Sequence, residues 1–190
     1  MPATLTGVFR AMAYNNAWAN ERLLAACAGL DEAAFNAPRT GFFPSLAATL
    51  NHILTVDWFY VDALEGGALG PAAWADETPC RTVARLHAEQ RAVDARLIAV
   101  CDGLTERSLN EDAHVHRGQS VQTERRDRLL LHLFEHQIHH RGQAHAMLSS
   151  TDIKPPQLDE FFCAGESPLR APEFARLGWT EARIWDPHTT

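Results

Sequence analysis

The stretch His132 to His145 reads HLFEHQIHHRGQAH and holds five of the chain's ten histidines. Neutral imidazole is the commonest protein ligand for transition metals and also exchanges protons near neutral pH. The stretch lies in a run from about Thr123 to Leu148 with no proline and one glycine, Gly142, long enough for about seven turns of α-helix. At roughly 100° per residue, His136 and His140 stand about 40° apart on one face, one turn above the other. Leu129, Leu133, Ala144 and Met147 share that face, so both rings point toward an apolar interior, whereas His139 and His145 point elsewhere. An inward HxxxH pair has the geometry by which two imidazoles grip one metal ion. The competing reading is a histidine-rich helix that buries or solvates its rings without an ion. The pair by itself lacks a third ligand.

The elements that must position this pair can be read from periodicity and punctuation. Leu5, Val8, Phe9, Met12, Asn16, Ala19 and Leu23 recur at helical spacing and predict a first helix from about Leu5 to Ala28, ended by Gly29. Its middle, Tyr14 to Asn20, is unusually polar and aromatic. The favoured reading is a face that packs its aromatics and solvates its amides; the other is an asparagine or Tyr14 facing a pocket. A loop punctuated by Pro38, Gly41 and Pro44 leads to Ser45, placed to cap a second helix from about Leu46 to Leu64. That helix carries His52 on a face with Ala48, Thr49, Val56, Phe59 and Ala63, and apolar residues cover its flanks, so His52 is expected to be buried or half-buried. Taken alone it reads as a hydrogen-bonded core residue. A third helix is expected from about Cys80 to Val100, with no firm role for His87 or Asp94. His114 to Val121 reads as a short extended pair about a Gly turn or a plain loop, with His114 and His116 in solvent. After the fourth, histidine-bearing helix, short helices are expected over Gln157 to Ala164 and over Pro172 to Trp185. Four long helices with such connectors describe an all-α four-helix bundle, in which metal sites are built in the core from facing helices. His52 can then converge with His136 and His140.

Composition bounds the function classes. A chain of 190 residues, 46% apolar and 22% charged, suits one soluble globular domain. The net charge of −7, the pI near 5.8 and a single lysine, Lys154, argue against nucleic acid or an anionic membrane as partner. No stretch reaches the roughly 18 apolar residues of a membrane span, and the first residues lack the order of a secretory signal, so a cytoplasmic location is expected. Cys27, Cys80, Cys101 and Cys163 are scattered without a CxxC pair, which suits free thiols.

Four pieces in order, YNNAWANERLL from Tyr14, NHILTVDWF from Asn51, HQIHHRGQ from His136 and TDIKPPQLDEFF from Thr151, resemble the DinB-like (DinB/YfiT-like) family over most of the chain up to about residue 165. The resemblance implies an up-down-down-up bundle, commonly a homodimer, with a divalent metal held by three histidines, here His52, His136 and His140. It divides the chain into a bundle over residues 1–165 and a short C-terminal helical extension over 166–190. Three imidazoles leave a coordination position for water or substrate, the pattern of a catalytic site. Zinc and nickel both suit imidazole, and spacing alone does not separate them from cobalt, manganese or iron. The expected function is a metal-dependent hydrolase or, as the resemblance suggests, a thiol S-transferase acting on a small-molecule substrate or thiol. The alternative is a non-catalytic metal- or small-molecule-binding protein of a stress response. No catalytic residue is assignable: Asp57, Glu135 and Tyr14 are the nearest candidates for a general base, and Asp57 or Gln143 could orient a ligand imidazole.

Overall fold

Three of the four long helices begin at a hydroxyl. Thr4, Ser45 and Thr82 sit on extended backbone and accept hydrogen bonds from the amides of Gly7, Ala48 and Arg85, satisfying donors that a first helical turn leaves open. A computed structural model describes residues 4–186 of the chain. Helix α1 spans Leu5–Cys27, α2 is the short Glu32–Asn36, α3 spans Leu46–Leu64, and a 3₁₀ turn follows at Gly70–Trp74. Helix α4 spans Val83–Asp102 and α5 is the single turn Glu106–Leu109. Strands β1 (Asp112–His116) and β2 (Val121–Arg125) pair antiparallel, His116 opposite Val121, and run directly into α6 (Arg126–Leu148). Helices α7 (Ser167–Leu177) and α8 (Glu181–Trp185) close the described chain.

Helix α1 packs against α4 and α6, and α3 packs against the same two. The contacts Tyr14–Asp102 and Glu21–Arg91 run in opposite senses along α1 and α4, as do His52–His136 and Tyr60–His132 along α3 and α6. Phe9–Phe134 and Asn16–Arg141 run in the same sense along α1 and α6. Trp18, Leu23, Leu46, Leu54, Phe59, Leu86 and Leu133 are among the side chains that fill the space between these helices, each contributing about 1.5–3 kcal/mol of transfer free energy where fully buried.

A polar network crosses that core and touches all four long helices. Asn16 and Asn20 of α1 donate to Asp94 of α4 at 3.1 Å and accept from Arg141 of α6 at 2.7 and 3.0 Å. Gln90 of α4 donates to Asp57 of α3 at 2.7 Å and to Asp94 at 3.1 Å, and Gln137 of α6 donates to Asp57. All seven side chains are buried. This corrects the expectation that the amides of Tyr14 to Asn20 are solvated: Asn15, Asn16 and Asn20 are buried, and none lines the cavity beside the histidines. Asn16 and Asn20 are hydrogen-bond partners that a buried carboxylate and a buried guanidinium require.

Other expectations shift with local causes. The third helix starts at Val83 rather than Cys80, because Thr82 caps it. The predicted extended pair is a true hairpin, and it takes Thr123 to Arg125 from the start of the fourth helix. No helix forms over 157–163; a 3₁₀ turn begins only at Ala164–Glu166. Pro155 and Pro156 lack amide donors, and the carbonyls of Pro156 and Gln157 accept instead from His145 Nε2 and Arg22 Nη1. The single helix expected over Pro172 to Trp185 is two, α7 and α8, broken at Gly178, whose φ of 69° ends α7 in a left-handed cap. The C-terminal segment lies on the main body, with Arg183 Nε bonded to Tyr14 Oη and Arg22 holding the carbonyl of Leu169.

Candidate metal centre

His52 of α3 and His136 and His140 of α6 meet at one point. The network of Asp57, Gln90 and Gln137 fixes α3 against α6 beside them. Their ring centroids are 4.9 Å (His52–His136), 4.6 Å (His52–His140) and 4.5 Å (His136–His140) apart. One nitrogen from each ring lies within 4.8 Å of the others, and His52 Nε2 stands 2.9 Å from His136 Nε2. Phe43, on the loop before α3, covers the cluster with its ring 4.4 Å from His52 and 5.6 Å from His140.

Burial, reinforced by the neighbouring imidazoles, disfavours the charged form of all three. It pushes His52 down to about 4 and His136 down to about 3, and it lowers His140 as well. Neutral rings with converging lone pairs are what a metal requires. Nitrogen ligands at about 2.0–2.1 Å around a tetrahedral ion stand roughly 3.3 Å from one another, a spacing the cluster meets with small side-chain shifts. The facing nitrogens His52 Nε2 and His136 Nε2, 2.9 Å apart on neutral rings, are the lone pairs a shared ion would take up. Gln143 supplies the orienting contact: its Oε1 is 2.9 Å from His140 Nδ1, while its Nε2 is 3.0 Å from His139 Nε2. With Oε1 accepting from Nδ1–H, His140 presents its Nε2 lone pair. The residues fit a divalent ion.

Two of the three rings, His52 and His136, form part of the wall of a cavity of about 580 Å³. Phe43, Val56, Phe59 and Trp74 supply its apolar lining, and Thr55, Tyr60, Glu77, Arg117 and His132 its polar groups. Tyr60 Oη is 3.2 Å from His132 Nε2, and the His132 ring is 6.5 Å from that of His136.

A profile of the DinB family matches residues 1–167. The chain belongs to the DinB family. Among solved structures, a DinB-like protein from Bacillus cereus ATCC 10987 is similar at 15% sequence identity and a TM-score of 0.59, over 76% of this chain and 91% of that one. At that identity the likeness speaks to the fold. No curated protein matches.

Within this DinB-family chain the remaining candidates separate cleanly. Gln143 contacts an imidazole of the cluster, as the sequence allowed, and Asp57 does not; its oxygens accept from Gln90 and Gln137. Glu135 is exposed. Tyr14 donates to Asp102 at 3.0 Å, and burial with that carboxylate raises it to about 12, far from the cavity chemistry. His114 is exposed beside Thr123, and His87 bonds to Glu21 at 2.6 Å. Sequence reasoning missed Tyr60 and His132. A signal for His132 was present, since it precedes His136 by four residues and extends the same stripe by one turn.

Proposed function

We propose that the protein is a metal-dependent enzyme acting on a small molecule, a hydrolase or a thiol S-transferase, with His52, His136 and His140 as ligands to zinc or nickel. The observation that carries this reading is the placement of His52 and His136 on the wall of a cavity of about 580 Å³. A coordination position left open by three imidazoles then faces a space of substrate size. A bound ion would supply Lewis acidity and would lower the pKa of a bound water or thiol.

The chain's own groups supply the rest. Gln143 holds His140 in one tautomer. Phe43 keeps water off the cluster on one side. His132 stands beside His136 on the cavity wall and is the group placed to hold a proton shed by water or thiol, its Nε2 sharing a hydrogen bond with Tyr60. Three finer readings accompany this one. The senses of the helix contacts support an up-down-down-up bundle over residues 1–165, with 166–190 as an extension. Cys27, Cys80, Cys101 and Cys163 are unpaired, which supports a cytoplasmic location. An apolar groove between α1 and α6 supports a homodimer.

The test is turnover by untagged protein loaded with zinc or nickel. A p-nitrophenyl ester reports hydrolysis, and cysteine with 1-chloro-2,4-dinitrobenzene reports thiol transfer. Metal-dependent turnover that His136→Ala abolishes supports the enzyme. Metal and thiol binding without turnover on any tested substrate points to the non-catalytic alternative.

A further inference from the structure

Arg117 lies between β1 and β2 and lines the same cavity as His52 and His136. Its guanidinium is held in place by neutral groups. Nε and Nη2 stand 3.2 and 3.0 Å from Gln122 Oε1, and Nη2 stands 3.3 Å from Tyr60 Oη. The guanidinium carbon is 5.0 Å from the centre of the Phe59 ring and 5.8 Å from that of Tyr60. Among the described residues, no carboxylate lies within ion-pair distance of Arg117, and its Nη1 has no hydrogen-bond partner. Arg22, Arg91, Arg96 and Arg170 differ, each pairing with a glutamate at 3.0 Å or closer, and Arg141, held by Asn16 and Asn20, is buried beside Asp94 and Asp57. Glu77, a carboxylate on the cavity wall, is exposed and makes no bond to Arg117.

The hairpin that carries Arg117 is seated, not free. Gly70, with a φ of +55°, lies so close to it that a Cβ there would stand 3.0 Å from the His116 carbonyl oxygen. Trp74, from the same 3₁₀ turn, packs its ring 4.5 Å from that of Phe59. The turn thus anchors both the cation and the aromatic wall beneath it.

Resting on the enzyme reading above, we infer that Arg117 is the specificity-determining residue and that the substrate carries an anionic group, a carboxylate or phosphate, on a flat apolar body. The guanidinium fork matches either oxyanion. The body lies against Phe59, Trp74, Val56 and Phe43, and the reacting end reaches the edge of the cavity formed by His52 and His136.

The probes are 3-phenylpropionate, 2-phenylethyl phosphate and the uncharged 3-phenylpropanamide, titrated calorimetrically against the full chain, first after chelation and then saturated with zinc. The wild type should bind at least one of the two anions about ten-fold or more tightly than the amide, in both states, and which anion wins decides between carboxylate and phosphate. Arg117→Met should abolish the preference and leave amide affinity unchanged, and Arg117→Lys should keep part of it. Equal affinities in the wild type, a preference that survives in Arg117→Met, or no binding of any probe at millimolar concentration would each overturn the inference. Zinc stoichiometry is read separately. A chain that binds no zinc yet loses its anion preference with Arg117→Met removes the metal reading and keeps this one.

Discussion

His140 takes its orientation from a neighbour one turn away: Gln143 Oε1 stands 2.9 Å from its Nδ1, and accepting from Nδ1–H leaves Nε2 as the ligand atom. Gln143→Leu should therefore lower zinc affinity about 10- to 100-fold, the usual cost of losing an orienting contact, in competition with a chromophoric chelator. Unchanged affinity would leave Gln143 without a role at the site. A pH effect follows from the same cluster. An unfolded imidazole titrates near 6.5, whereas burial holds His52 and His136 down to about 4 and 3. As pH falls below about 6.5, the unfolded chain takes up protons that the folded chain refuses, so these groups withdraw stability until their folded pKa values are passed. The urea midpoint of chelated wild type should fall more between pH 7 and pH 5 than that of His52→Gln/His136→Gln; equal falls would contradict this. Of these residues, the HxxxH pair was legible from helical spacing alone. His52 was not, because a lone histidine on an apolar face reads as core until a family resemblance singles it out. Tyr60 and Arg117 were invisible, since nothing local shows which side of a helix or hairpin a cavity will occupy.

At the scale of elements, the buried polar network sets how the histidine-bearing helices meet. Asp57 and Gln137 join α3 to α6 one residue from His136, and Arg141 reaches from α6 to α1. Arg141 is buried, and burial pushes it down to about 10 against the pull of Asp94 and Asp57. Removing one partner of a buried charge cluster strands the others, so Arg141→Ala should cost about 3–5 kcal/mol by urea unfolding. A cost under about 1 kcal/mol would mean that the amides alone satisfy Asp94. Sequence patterning located the long helices well because Ser45, the cap of the second helix, and the apolar stripes are local signals. It failed at Asn16 and Asn20, whose amides look solvent-seeking until the partners from other helices are known. It failed again after Pro156, where His145 and Arg22, distant in sequence, hold the carbonyls that a helix would have used.

At the scale of the molecule, two surfaces among the described residues stand out. One is the cavity. The other is the groove formed by Leu5, Val8, Phe9 and Met12 of α1 with Leu131, Phe134 and Ile138 of α6. Leu5, Val8, Leu131 and Ile138 are each about half exposed, at 48%, 49%, 59% and 52%, an apolar patch of the kind that marks association. Sedimentation at micromolar concentration should give a dimer, and Ile138→Glu a monomer that keeps its metal; a wild-type monomer would count against the homodimer. No helix among the described residues is long and apolar enough to cross a membrane. Metal-dependent chemistry in this cavity requires that His52, His136 and His140 hold an ion. Elemental mass spectrometry of untagged protein, wild type beside His136→Ala, tests it most directly. The wild type should hold close to one zinc or nickel per chain, and His136→Ala should lose it. A wild type that holds no divalent metal, even after incubation with zinc or nickel, would contradict it.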